Sequence, residues 1–492
     1  MAVRAKVVSL SSPIGGLNTR DPISGMPKED AVILTNWEPR DGSVVMRNGY
    51  ESHATGMTGN VETLAEYNSG SNRKLIACAN GAIWNASSAG AASSLSTGYS
   101  NNRWQWVNFN AYLIMVNGAD TPVTFDGATT VAASTISGPA VTSLVGIHAH
   151  KSRVYVWESS SSSFWYGATN AIGGAFTEFP LTRISKKGGT VTAMGTITHD
   201  AGSGPDDFAV FLMSSGEAIV YQGSDPGDAN SWALVGIYDI GAPLSVRGVV
   251  KLGGDLCVIT REDYVLLSQE MSKRETRKRS KAVGALQAAV RTWGSNFGWQ
   301  AIVYSPAGKA IFNIPKSDTE FEQHVLNTTT GAWCKYSGIN ARCWCVYNNQ
   351  LYFGTAGGIV FKADTGNSDN NSAINADALP AWSTFGNTNN KQVTAYRNNM
   401  IIGIDSLNVS TAVGSDFTIP SAPYIATSGT ANTTPWGSPW GSPWSQEEVS
   451  YNDWKSENTL GRYFAQRVRI STGSAGVEWL STDYVVQTGG LI

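Results

Sequence analysis

The chain has 492 residues, of which only 15% are charged, and its 35 basic and 38 acidic side chains leave a formal net charge of −3. That balance excludes the domain-wide basic footprint of a dedicated nucleic-acid-binding protein. With 52 glycines and 17 tryptophans beside so little charge, the composition excludes an ordinary helical enzyme and points to turn-rich β-structure with aromatic packing. Five cysteines (Cys78, Cys257, Cys334, Cys343, Cys345) are too few and odd in number for a disulfide framework, so assembly in a reducing cytoplasm is expected. The N-terminal MAVRAKVVSL lacks an apolar signal core, and no run approaches the roughly 18 apolar residues of a membrane helix. No membrane-spanning segment is therefore expected.

Residues 1–50 read as an irregular N-terminal arm, with Gly15-Gly16 and restricted φ at Pro13, Pro22 and Pro27. Within it PKEDAVILTNW reads as one short helical piece, because Pro27 suits a first turn and Glu29 and Asp30 suit a helix N-terminus. From residue 51 to 365 a burst–turn–burst grammar takes over. Asn48-Gly49, Asn80-Gly81 and Asn117-Gly118 are hairpin signals 32 and 37 residues apart. The grammar continues in RVYVWESSSSSFWYGAT, FAVFLMSSGEAIVYQG, VVKLGGDLCVITREDYVLLS, IVYSPAGKAIFNIP and QLYFGTAGGIVFKAD. A lone hairpin is marginal in water and needs a neighbour over its apolar face. Six to eight units of this length predict a mainly β chain built on a β-propeller platform; a sandwich array or a solenoid are the alternatives.

Residues 270–299 interrupt that grammar as a short helical and basic insertion. The run SKRETRKRSK leads into AVGALQAAVRTWG, where Val283, Leu286, Ala289 and Val290 fall at helical spacing. Such an insertion is expected to project from a propeller face or rim. Residues 366–390 are rich in Asn, Ser and Gly and read as a linker. Residues 391–492 return to alternation and predict a C-terminal antiparallel β region, broken by PWGSPWGSPW, an aromatic loop that its prolines keep out of helix and central strand.

Catalytic signatures are missing: there is no G-x-S-x-G, H-E-x-x-H, P-loop or G-x-G-x-x-G. No catalytic residue, metal ligand or cofactor is therefore named, and no enzyme is expected. His148 and His150 share a strand face but want a third metal ligand, so an ordinary half-buried pair is expected. Cys343 and Cys345 in RCWCVY read as one face of an apolar strand.

Two clusters carry interaction chemistry. Lys273, Arg274, Arg277, Lys278, Arg279 and Lys281 crowd six positive charges into nine residues, offset by Glu275 alone. They suit either a solvated loop or contact with DNA phosphates or an acidic partner; six phosphate contacts would give a log–log salt slope of about −5. Trp436, Trp440 and Trp444 suit either packing on their own domain or a docking patch for a partner. One indole buries roughly 150–250 Å², which at about 25 cal/mol per Å² bounds its contribution near 4–6 kcal/mol.

Three blocks in order, PIGGLNTRDP…MPKEDAVILTNWEPRDGSVVMRNGYE, VYQGSDPGDANSWALVGIYDIGAPLSVRGVVKLGGDLCVITREDYVLLS and RTWGSNFGWQAIVYSPAGKAIFNIP, resemble the tail nozzle (tubular or hub) proteins of short-tailed bacteriophages. The resemblance covers about a third of the chain and leaves PWGSPWGSPW unmapped. It implies a virion structural protein: a propeller-containing subunit of a homohexameric ring that closes the tail, retains packaged DNA and forms the conduit for its ejection. Implied partners are tail adaptor proteins, tail fibres or spikes and, transiently, double-stranded DNA, in a virion assembled in the host cytoplasm. The alternative is a carbohydrate-binding or carbohydrate-active β-propeller; a cellular scaffold propeller is a further rival.

Overall fold

The computed structural model describes residues 5–129, 131–200, 205–272, 279–403, 407–427 and 449–488. The chain divides into two compact units. Unit 1 collects residues 1–51, 322–339 and 363–492; unit 2 collects 52–321 and 340–362.

Unit 2 is a ring of small antiparallel sheets. Blade 1 runs Val61–Ser69, Asn72–Ala79, Ala82–Asn85 and Ser93–Thr97 outward from its inner strand. Blades 2, 3 and 4 repeat the order from inner strands Gln105–Phe109, Leu144–His150 and Val191–Asp200. Blade 5 has three strands, Val249–Leu252, Asp255–Ile259 and Tyr264–Leu266. Blade 6 contributes the hairpin Gln300–Tyr304 and Lys309–Pro315. Blade 7 begins at Cys343–Tyr347, and its sheet takes in the early strand Tyr50–Thr55 beside Val360–Ala363.

Each inner strand packs on the next, and Cys343–Tyr347 returns to Val61–Ser69, so the ring closes. Among the described residues unit 2 is therefore a seven-bladed β-propeller. The reason is visible in the core. Successive blades bury separate apolar clusters between them: Tyr67, Ile76 and Cys78 against Leu113 and Phe125, then Tyr155 and Phe164 against Phe211 and Tyr221, then Phe208 and Val210 against Leu256 and Val258. The inner and middle strands are covered on both faces, as in Asn72–Ala79 and Tyr112–Val116, which is why they read as apolar bursts, while outer strands such as Ser93–Thr97 and Trp232–Asp239 stay largely exposed.

Unit 1 holds two sheets. In one, Lys391–Ile402 and Val477–Thr488 pair along most of their length and Ala5–Ser11 adds to the latter. In the other, Asp30–Thr35, Ile374–Pro380, Phe464–Thr472 and Val409–Ser415 follow one another. Val393, Tyr396, Tyr484 and Val486 of the first sheet meet Val413 and Phe464 of the second in one core, so the sheets pack as a sandwich.

Two expectations change here. The N-terminal residues do not form an arm with a helical piece: DAVILT is a strand, held between Trp333–Tyr336 and Ile374–Pro380, where β-branched Val32 and Ile33 outweigh the helix-start signals of Pro27, Glu29 and Asp30. The stretch 366–390 carries the strand Ile374–Pro380, with Ala376, Ala378 and Leu379 fully buried, where its Asn-rich composition suggested a linker. The helix expected in the insertion is present as Val283–Trp293, burying Val283, Leu286 and Ala289.

Candidate functional site

The inner strands of the propeller all begin on one face, and the residues just before or at those starts converge on the axis. Glu62 and Thr63 open the inner strand of blade 1, Arg103 and Trp104 precede that of blade 2, Arg247 precedes blade 5 and Arg342 precedes blade 7. Arg247 reaches across to the opposite side of the ring. Its Nη1 donates to the Glu62 carbonyl (2.7 Å), and its Nη2 donates to Thr63 Oγ1 and to the Trp104 carbonyl (2.7 Å each). The backbone of the same residue accepts from Ala301 N–H at 2.8 Å. One half-buried side chain thus straps the mouth of the axis.

The Glu62 carboxylate is taken by two other arginines, Arg103 at 3.3 Å and Arg342 at 3.1 Å. Arg247 has only neutral acceptors within bonding distance, and burial lowers its pKa against the opposing pull of Cys343, Cys78 and Glu62. Phe297 lies between Arg103 and Arg247, whose guanidinium carbons stand 4.0 and 5.5 Å from its ring centroid.

Behind the strap lies an axial cavity of about 270 Å³. Trp106, Trp157, Ile147, Met194 and Leu256 supply apolar walls, and Arg247, Lys251, His148 and Gln105 supply polar groups. Burial, with His150 adding to it, pushes His148 down to about 4, so its imidazole is neutral near pH 7. A second cavity of about 740 Å³ lies against Arg103, Phe297 and Lys316.

The insertion was expected to project; its described part from residue 279 to 299 is instead docked on the propeller. Ser280 Oγ donates to Asp263 Oδ1 (2.6 Å), Gln287 Nε2 to the Glu262 carbonyl (3.1 Å) and Trp299 Nε1 to the Trp293 carbonyl (3.1 Å). These bonds deliver Phe297 to the axial mouth. Of the basic cluster, Arg279 is exposed and Lys281 half-buried just ahead of the helix; Lys273, Arg274, Arg277 and Lys278 lie outside the described residues. So do Trp436, Trp440 and Trp444.

His148 and His150 both reach Thr196 Oγ1, at 3.2 and 3.3 Å, on the neighbouring blade. Cys343 and Cys345 belong to the buried cluster between blades 7 and 1. No group of three or more metal-ligating side chains occurs among the described residues. Sequence reasoning missed Arg103, Arg247 and Arg342. Isolated arginines carry no motif, and only their shared place ahead of inner strands marks them.

Seven blades closed around a strapped axis decide the architecture. The fold is a β-propeller. Solved structures similar to the chain include YCF48 bound to D1 peptide (10% identity, covering 64% of this chain and 95% of that one, TM-score 0.39). Others are the β-propeller domain of Cps50 (Swd1) from Myceliophteria thermophila (11% identity, 64% and 100%, TM-score 0.41) and Raptor from Chaetomium thermophilum (10% identity, 65% and 30%, TM-score 0.42). No family model matches the sequence, and no curated protein matches it. No described helix of this propeller chain is long and apolar enough to cross a membrane.

Proposed function

We propose that the chain is a virion structural protein, the subunit of a ring-shaped tail nozzle of a short-tailed bacteriophage, with no catalytic role. The ordered set of three sequence blocks carries the reading. The first falls on residues that build unit 1, and the other two fall on blades 4 to 6, so the resemblance spans both units rather than a generic blade. The residues lining the axial cavity include no carboxylate. Glycoside hydrolysis needs a facing pair of them, so the carbohydrate-active alternative draws no support from the axis.

The axis also constrains how such a nozzle would work. A cavity of about 270 Å³ crossed by Arg247 cannot pass a double helix, so a DNA conduit would run between copies of the chain, not through a propeller. Adaptor proteins and fibres or spikes would dock on outer surfaces, with Arg279, Lys281 and the rest of the basic cluster as candidate contacts. The test is electron microscopy of the full chain, alone and mixed with the adaptor proteins of the same tail. Sixfold rings with a central channel are expected in the mixture; a chain that stays monomeric with its adaptors overturns the proposal.

A further inference from the structure

We infer that the axial cavity of the propeller is a binding site for a carboxylate carried on an apolar body, either a small organic acid or an acidic side chain inserted by a docked peptide. Its charged lining residues, Arg247 and Lys251, are both cations. Among the described residues neither is paired with a carboxylate within ion-pair distance. Arg247 spends its bonds on two carbonyls and a hydroxyl, and Lys251 Nζ donates to Thr198 Oγ1 at 2.8 Å, which in turn donates to Asp207 Oδ1 at 2.6 Å. At the mouth the Glu62 carboxylate is shared by Arg103 and Arg342, and Asp318 stands 3.9 Å from Arg342. Arg247 is half-buried and Lys251 exposed, so the cost of holding a positive charge in a partly dry site without a bonded anion falls on Arg247, and an anionic ligand there removes it.

The walls set the rest of the ligand. Trp106, Trp157, Met194 and Leu256 offer apolar surface, and the neutral His148 adds neither repulsion nor a competing anion. At about 270 Å³ the cavity stands at the small end of ligand pockets and suits a body of a few carbons better than a sugar or a nucleotide.

The experiment is calorimetric titration of the full chain with hexanoate, hexanamide, inorganic phosphate and an acetylated, amidated peptide bearing one glutamate among leucines. Hexanoate or the glutamate peptide is expected to bind at least about tenfold tighter than hexanamide, the scale of a charge-assisted hydrogen bond; which of the two binds identifies the source. Lys251→Met is expected to weaken binding about tenfold, and Arg247→Lys, which keeps the charge but loses the fork, to weaken it further. Equal binding of hexanoate and hexanamide, binding of phosphate alone, no binding of any probe at millimolar concentration, or full affinity in both folded variants each overturns the inference.

Discussion

Arg47 and Asp369 form a bidentate pair inside unit 1, Nη1 to Oδ1 at 2.8 Å and Nη2 to Oδ2 at 2.6 Å, with the guanidinium side chain only 1% exposed. The remaining donors of Arg47 go to Asn36 Oδ1 (2.8 Å), the Asn48 carbonyl (3.0 Å) and the Ser337 carbonyl (2.9 Å). One side chain therefore ties together the three stretches of sequence from which unit 1 is assembled.

Removing either partner leaves the other as an uncompensated buried charge. Arg47→Ala is expected to destabilise unit 1 by about 3–5 kcal/mol, whereas Arg47→Met with Asp369→Leu should cost much less than the two single changes combined. Denaturant titration of the full chain, with hydrogen exchange at residues 36, 337 and 369 to report unit 1, measures both. A double variant as unstable as the sum would show that the pair does not act as one.

Gly146 lies opposite Trp157 in blade 3, at a register shift in the inner strand. A Cβ there would fall 1.9 Å from the Trp157 ring, which is buried and lines the axial cavity. Gly146→Ala is expected to cost about 1–3 kcal/mol through overpacking and to perturb ligand access to the axis. Thermal melts check this against Gly70→Ala, where a Cβ meets nothing within 4 Å and the cost comes only from the positive φ of 65°, a strain that Gly146 does not carry.

Much of the propeller was legible because its hairpins advertise themselves. Asn80-Gly81 and Gly253-Gly254 are tight turns between paired strands. Others were hidden: Asn110-Ala111, Lys151-Ser152 and Asn348-Asn349 make the same left-handed pairs of φ without a glycine, so a search for Asn-Gly passes over them. Asn48-Gly49 misleads in the other direction. Gly49 is there because a Cβ would strike the Ser368 carbonyl at 1.9 Å, not to turn a hairpin. Unit 1 was the least legible, since Asp30–Thr35 and Ile374–Pro380 pair across more than 300 residues and local pattern carries no trace of that partner. The axial arginines were illegible for the same reason: Arg247 and Glu62 meet only because the ring closes.

Asp377 is a buried carboxylate of unit 1 held acidic by two arginines. Burial works to raise its pKa, but hydrogen bonds and charge from Arg467 (2.7 Å) and Arg469 (3.0 Å) outweigh it and hold the carboxyl below its ordinary range. A carboxyl more acidic in the folded than in the unfolded chain stabilises fully above its unfolded pKa, near 4, and loses that contribution as pH falls through its folded value. Stability is therefore expected to fall below about pH 4, and Asp377→Asn should flatten that limb while lowering stability at neutral pH. A variant with the unaltered acid limb would assign it to other carboxylates of unit 1, Asp483 being the nearest in kind.

The five cysteines give a test of how tightly the chain closes. All are buried, and burial is the main force pushing Cys257 and Cys343 up to about 12 and Cys78 and Cys345 upward as well. A thiol must ionise to react. At pH 8 a thiol-specific reagent is expected to modify the native chain only slowly, and all five sites promptly in denaturant. Fast labelling of Cys343 in the native chain would mean that the contact between blades 7 and 1, where the ring closes, opens readily.

Arg247→Leu probes the strap itself. The change keeps an apolar stem but deletes all three bonds across the axis. Thr63 Oγ1 keeps the Asn102 carbonyl (2.7 Å) and the Trp104 N–H (2.9 Å) as partners, so the groups stranded are the Glu62 and Trp104 carbonyls. A loss of about 1–3 kcal/mol is expected from the stranded acceptors, concentrated in the propeller. Phe297 should become more mobile with it, because one of the two cations at its ring is gone. Hydrogen exchange resolves the outcome: faster exchange at Ala301 and in residues 294–299, with unit 1 unchanged, is the expected pattern. Uniform acceleration through the whole chain would mean that the strap governs global stability rather than the closure of this one mouth.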